Sequence, residues 1–381
     1  MSWSADLDNL THALVGAAIS KAGAERATPL ATATLVIAAN APDIDVLSYA
    51  RGEYFALAFR RGLTHGWPAL LVLPLLVAGA VLGWDRWVRR RRNPDSEPAR
   101  AGPILALSAI GLATHSTLDW MNTYGLRWGL PFDGAWSYGD ALFIIDPWIW
   151  LALGGAVFLA SDPGRLGLAG WGVLAALTSA VVVVGIDGTP ALLWSVALAG
   201  IIAFRLKRGP GVGNRRAHAA AGTILAVAVY VLAMIGADAR ARSHVIEAAE
   251  ASGLDVQDVM VAPRRGDPFT AEVEILTESG YVPGTHRWFS SPHVRLRPGA
   301  TVPLFSASGV APEALARRIA TAARKRTLVR NYLVWSRYPY VRVTPDDAGW
   351  TVRFSDARYD SQPGAAGLAG VTVHVSSSEI Q

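Results

Sequence analysis

Six stretches of this chain are apolar for nearly the length that crosses a bilayer: residues 67–83, 103–121, 141–160, 167–186, 190–205 and 217–237. A helix needs roughly 20 apolar residues to span the hydrocarbon core. Backbone at that depth must satisfy its own hydrogen bonds, which leaves a helical bundle as the natural solution. Two shorter alanine-rich stretches, 10–24 and 28–47, carry polar residues and read as half-buried helices or further spans. The expected fold is an α-helical polytopic membrane bundle of about six to eight helices over residues 1–237, followed by a small α+β extramembrane domain over 240–381. Composition agrees: 51% of residues are hydrophobic and only 17% charged, with mean hydropathy +0.28, too apolar for an ordinary soluble domain.

The formal charge is +5 and the pI about 9.6. The arginines cluster at segment ends, which fits membrane orientation better than nucleic-acid binding, and no nucleic-acid partner is expected. Loops 84–92 (WDRWVRRRR) and 205–216 (RLKRGPGVGNRR) are strongly basic and belong in the cytoplasm. Counting spans from the first loop delivers the second to the same side. The same count puts His65, loop 122–140 and the C-terminal domain outside. The N-terminus has no basic region before its first apolar run, so no cleavable signal peptide is expected.

The C-terminal part reads as strands at 256–262, 270–277, 340–344 and 350–355, with a basic amphipathic helix at 312–325. WSRYPYVRV, with its internal proline, suits an edge strand. His244, His286, His293 and His374 look scattered, without carboxylates at ligand spacing.

Ionisable groups in segments headed for lipid mark functional sites by default. Three histidines, each in a Thr-His pair, lie in such segments: His12, His65 and His115. Asp119 follows His115 by four residues, one face of a helix; Asp43 and Asp45 sit in ANAPDIDVL. Cysteine is absent, so any metal must be held by nitrogen and oxygen. The expected ligands are His12, His65, His115 and Asp119, with Asp43 or Asp45 accepting a proton as a catalytic carboxylate. Alone, each has a plain alternative: a hydrogen-bonded His–Asp couple, a helix-end turn, an interfacial cap. Loop 122–147 adds Asp133, Asp140 and Asp146. Asp140 and Asp146 are candidate alternative ligands or partners of a ligand, and Asp146, before Pro147, equally suits a helix cap. Arg61 is a candidate for binding a substrate phosphate oxygen, or an interface anchor.

DNLTHALVGAAIS, ANAPDIDVL, RGLTHGW, HSTLDWMNTYG and GDALFIIDPWIW together resemble the YdjM-type family of bacterial inner-membrane, metal-dependent hydrolases, also called LexA-binding. The resemblance covers roughly residues 7–160, and the FSDARY segment is similar to that of longer members. It implies a multi-pass protein of the bacterial inner membrane. More distantly, the order His, Asp, His, His-x-x-x-Asp resembles zinc-dependent phospholipase C and the P1-type nucleases. Those enzymes add a further histidine pair and a glutamate; this chain has no histidine between 115 and 218, so one or two metals is what the residues permit.

The expected function is membrane-bound, metal-dependent hydrolysis of a small-molecule or lipid phosphoester, with membrane lipid as surroundings and a divalent metal as cofactor. Zinc is favoured by the histidines and manganese by the aspartates. The alternative is a non-enzymatic membrane regulator or scaffold with a structural metal. A transporter fits less well, because the candidate ligands fall on one side rather than along the bilayer depth.

Overall fold

The computed structural model describes residues 9–186, 188–209, 214–359 and 366–380. The membrane part begins with α1 (Asn9–Lys21) and α2 (Ala31–Ala38), a 3-10 segment at Ala41–Arg51, and α3 (Glu53–Phe59). Next come α4 (Trp67–Trp84), carried through a π-type turn into the short α5 (Arg90–Arg92), and α6 (Ala101–Trp120). A long loop leads to α7 (Pro147–Ala160), α8 (Arg165–Gly185), α9 (Thr189–Arg208) and α10 (Asn214–Ala251).

Among the described residues five helices are long and apolar enough to cross a membrane: Trp67–Arg92, Ala101–Trp120, Arg165–Gly185, Thr189–Arg208 and Asn214–Ala251. The expected six to eight is therefore corrected to five, for local reasons. Stretch 141–160 loses its first turn because the helix starts only at Pro147, where proline fits the first helical position; α7 has 14 residues. Stretch 28–47 breaks after Ala38, where the Asn40 side chain donates to Val36 O (2.8 Å) and Pro42 follows. Stretch 10–24 yields a 13-residue helix that ends at Lys21.

Small residues bring three of these helices close. A Cβ on Gly16 of α1 would lie 2.9 Å from Leu35 O, and one on Gly111 of α6 only 2.8 Å from Ala38 Cβ. Helix α2 is thus wedged between α1 and α6, as small residues permit in membrane bundles. The basic connections gather at one end: Arg26 donates to Asn214, Arg216 lies 3.5 Å from Glu25, and Arg100 N donates to Thr28.

The C-terminal part holds two four-stranded sheets. The first is an antiparallel meander of β1 (Asp258–Arg264), β2 (Asp267–Thr277), β3 (Gly280–Arg287) and β4 (Val294–Leu296). The second has the order β5 (Phe305–Ala307), β6 (Pro339–Asp346), β7 (Gly349–Asp356), β8 (Gly370–Ser376), with β5 and β6 parallel. It is covered by α11 (Glu313–Arg324) and α12 (Thr327–Trp335); a short α13 (Ala366–Ala369) precedes β8. The WSRYPYVRV segment is corrected from edge to interior: β6 has neighbours on both sides. Its proline sits at the first strand position, where no central ladder bond is lost.

This second sheet is not separate from the bundle. Leu57 of α3 and Tyr124 of the long loop share one apolar core with Val329, Tyr332, Trp335 and Phe354. Arg358 donates to Thr123 O (2.6 Å) and Trp136 Nε1 to Val334 O (2.6 Å). Arg358 also grips the fully buried Asp356. Burial alone would raise the Asp356 carboxyl, but the Arg358 charge and several hydrogen bonds outweigh it and hold the group below the usual carboxylate range.

Candidate metal centre

Asp43, His65, His115 and Asp119 come from three separate stretches of the chain. Each offers a ligand atom, and all four atoms lie within 4.8 Å of one another. All four residues are buried. His115 and Asp119 project from one face of α6, as the four-residue spacing requires. His65 precedes α4, and Asp43 lies in the 3-10 segment that the break after α2 creates.

The hydrogen bonds define the imidazole tautomers. His115 Nδ1 lies 2.7 Å from Ala39 O, which can only accept, so Nδ1 carries the proton. Thr64 Oγ1 donates to Asp45 Oδ2 (3.0 Å) and so presents a lone pair to His65 Nδ1 (2.9 Å). His65 Nδ1 therefore carries its proton as well. Both Nε2 atoms are left with lone pairs, and they face each other 3.0 Å apart. Two lone pairs at that distance require something positive between them, either one shared proton or a metal ion.

Asp119 Oδ2 is buried, ion-paired with Arg61 Nε at 3.1 Å, and lies 3.3 Å from His65 Nε2 and 3.5 Å from His115 Nε2. Asp43 Oδ1 is 3.9 Å from His65 Nε2. Bond lengths of 2.0–2.2 Å to a divalent ion put two ligand atoms at most about 4.4 Å apart. The group fits one ion after closing by less than about half an ångström.

Charge agrees with a cation. Asp43, Asp45 and Asp119 are in direct contact with two guanidiniums, Arg60 and Arg61, so the carboxylates outnumber their immediate partners by one. A buried unbalanced charge is unfavourable, so the excess favours a cation in the cluster; a divalent ion carries the sum from one negative to one positive charge.

The structure separates the two candidate carboxylates of ANAPDIDVL. Asp43 faces the cluster, its other oxygen accepting from Asn9 Nδ2 (2.9 Å). Asp45 faces away: it accepts from Arg60 Nε, Arg61 N and Thr64 Oγ1, and lies 3.4 Å from His65 Nδ1. It thereby orients the ring, as outer partners of histidine ligands do. His12 stands at the margin. Its ring centroid is 3.9 Å from that of His115 and its Nε2 is 3.4 Å from Asp119 Oδ1, while its buried Nδ1 has no partner. It borders a cavity of about 20 Å³ shared with Asp119, Asn122 and Asp146, roomy enough for one water.

Arg61 turns its guanidinium onto Asp119 (Nε–Oδ2 and Nη2–Oδ1, both 3.1 Å) and Asn122 (2.8 Å), not toward an open pocket. Asp140 is outside the cluster: its Oδ1 accepts from Arg337 (3.0 Å) and its Oδ2 from Arg337 (2.9 Å) and Arg242 (2.6 Å). Asp146 caps α7, accepting from Trp148 N (2.9 Å) and Ile149 N (3.1 Å), and its second oxygen accepts from Tyr230 (2.8 Å). Asp133 caps its own turn by accepting from Ala135 N.

Asn9, Asn122, Thr64, Arg60 and the Ala39 carbonyl also shape the centre, and sequence reasoning misses them. The Thr-His pairs are visible in the sequence, and at position 64 the threonine addresses its histidine; Thr11 accepts from Trp150 and Thr114 bonds Gly111 O. The histidines of the C-terminal half are not all scattered. His244, His286 and His293 gather with ring centroids 5.1 to 6.1 Å apart, and His374 pairs with Asp346 at 3.1 Å.

Fold and site together define a polytopic membrane protein whose buried Asp/His group can hold a metal ion. The sequence profile of the YdjM inner membrane protein family matches residues 7–240. The chain belongs to that family. Comparison with curated proteins found no match, and neither did comparison with solved structures.

Proposed function

We propose that this protein is a membrane-bound, metal-dependent hydrolase of phosphoesters, lipid phosphoesters among them. The observation that carries the reading is the pair of imidazole Nε2 atoms held lone pair to lone pair at 3.0 Å, with Asp43 and Asp119 alongside. His65, His115, Asp43 and Asp119 would hold the ion, zinc by the histidines and manganese by the aspartates. A divalent ion there supplies Lewis-acid polarisation and makes water a better nucleophile at neutral pH.

The chain's own residues divide the remaining work. Arg61 fixes Asp119, and Asp45 with Thr64 fixes His65. Of the two carboxylates expected to take a proton, Asp45 has its oxygens engaged by Arg60, Arg61 and Thr64, and Asp43 sits among the ligands. His12, with Nδ1 unpartnered beside the small cavity, is the group placed to accept a proton from water. In this reading the basic loops face the cytoplasm, and the metal centre and C-terminal domain face outward from a bacterial inner membrane.

One observation favours the scaffold reading: every ligand is buried, and closed sites are typical of structural metals. Metal analysis of the purified protein, followed by assays on a phosphodiester and on phospholipid vesicles, separates the two. Bound metal with hydrolysis supports the enzyme. Bound metal without hydrolysis of any phosphoester supports the scaffold, and metal-free protein that refuses added zinc and manganese sinks both.

A further inference from the structure

A groove of about 230 Å³ opens between α1, α7, α8 and α9. Leu14, Phe158, Trp171, Trp194 and Ile201 are among its walls. Three of its polar side chains are already engaged, which leaves the indole of Trp171 as its one other polar group. Trp150 Nε1 donates to Thr11 Oγ1 (2.8 Å), Trp194 Nε1 to Ser179 Oγ (3.1 Å) and Thr178 Oγ1 to Leu174 O (2.8 Å). Ordered water needs polar partners left open to it, and apolar cavities stay dry or take hydrocarbon.

Two further observations identify the hydrocarbon. The rim residues Leu168 and Ile202 are 46% and 40% exposed on the outward faces of α8 and α9, two of the apolar spans. What covers those faces at membrane depth is lipid tail. The groove also has a direction. Its α7 wall runs from Trp150 to Phe158, a rise of about 12 Å. At the upper end Trp150 donates to Thr11, and Thr11 in turn lines the small cavity beside His12, Asp119 and Asp146.

We infer that this groove holds one acyl chain of a membrane phospholipid, which directs the phosphate end of that lipid toward His12 and Asp119. As a statement about the substrate it rests on the hydrolase reading above; as a statement about binding it does not.

The test uses the full-length protein in phosphatidylglycerol–phosphatidylcholine vesicles containing a trace phospholipid with a photoactivatable diazirine at the acyl end. Adducts should concentrate in residues 150–158, 168–178 and 194–202. Gly172 lines the groove, and a Cβ there meets nothing within 4 Å, so Gly172→Phe should plug it and reduce adducts several-fold. Gly170, on the same helix with equal room but not in the groove wall, serves as control, and Gly170→Phe should leave them unchanged. Asp119→Asn should also leave them unchanged, since the groove does not need the metal. Adducts spread evenly over the lipid-facing helices and indifferent to Gly172→Phe would overturn the inference. In the same preparations Gly172→Phe should slow phospholipid hydrolysis while sparing a water-soluble phosphodiester; equal loss on both overturns the substrate assignment. Localised adducts with no hydrolysis of either substrate by the unmodified protein would remove the hydrolase reading and leave the lipid site standing.

Discussion

Asp119 is the residue on which the centre turns. It meets His12, His65, His115 and two nitrogens of the Arg61 guanidinium within 3.5 Å. Asp119→Asn keeps size but removes the charge that answers Arg61 and that, in the proposed reading, would hold a divalent ion. Metal content, read by elemental analysis of the purified protein, should fall to background. Asp146→Asn should be milder, because its carboxylate caps α7; the expected loss is about 0.5–2 kcal/mol of stability with metal content retained. Metal loss from Asp146→Asn equal to that from Asp119→Asn would make Asp146 a ligand. A second residue-scale expectation concerns His286. Burial, then the charges of His244 and His293, push it down to about 4. Folded protein keeps this ring neutral while unfolded chain protonates it, so stability should fall as pH drops from about 6.5 toward 4. Thermal unfolding across that window should show the slope, and His286→Gln should flatten it. The ligand types are legible in the sequence because ionisable groups are conspicuous among apolar neighbours. Their orientation is not: Asp43 and Asp45 are two residues apart, and only the 3-10 backbone decides which one faces the histidines.

At the scale of elements, the break between α2 and the 3-10 segment matters most. Had 28–47 run on as one straight helix, Asp43 would have been carried along its axis instead of folding back beneath α1. Asn40 and Pro42 are visible as punctuation, but the close seat of α2 against Gly16 and Gly111 is not, because glycine spacing does not name its partner helix. Gly111→Ala puts one methyl against Ala38 Cβ and the Leu35 carbonyl, so α2 and α6 must part. The expected cost is about 1–3 kcal/mol, together with weaker metal binding, measured by thermal melts and zinc titration. Gly102→Ala, on the same helix with nothing within 4 Å, should be neutral or slightly stabilising, as replacing a helical glycine usually is. Helix α7 is shorter than its apolar stretch for a related reason. Residues 141–145 are apolar enough to span, but the Asp-Pro pair at 146–147 starts the helix where cap chemistry dictates, not where hydrophobicity begins.

At the scale of the molecule, the bundle and the second sheet share a core. Nothing in the sequence joins Leu57 and Tyr124 to Trp335 and Phe354, because contacts between residues so far apart leave no periodic trace. The FSDARY segment stands out in the sequence only as a likeness to longer family members, and the structure gives it a physical role. Asp356 and Arg358 lock the sheet onto Thr123, four residues after Asp119. Arg358→Ala would strand a fully buried carboxylate, with an expected loss of about 3–5 kcal/mol. Because the same change releases the loop after Asp119, metal affinity should weaken along with stability, checked by zinc titration below the melting temperature. An unchanged metal affinity would show that the sheet steadies the fold without steadying the centre.

Helix α10 runs 38 residues without a proline, from Asn214 to Ala251, a rod of about 57 Å. The hydrocarbon core takes about 30 Å of it, so close to half of the rod lies beyond the bilayer's oily interior. Arg242, on the last third, donates to Asp140 and to the Val259 carbonyl at the start of β1. A helix that continues unbroken from membrane to sheet transmits rotation: its lean in the bilayer is handed on to the first sheet. A spin label on an exposed position of β2 should therefore behave as a pointer, reading the tilt of a membrane helix from a place that water can reach.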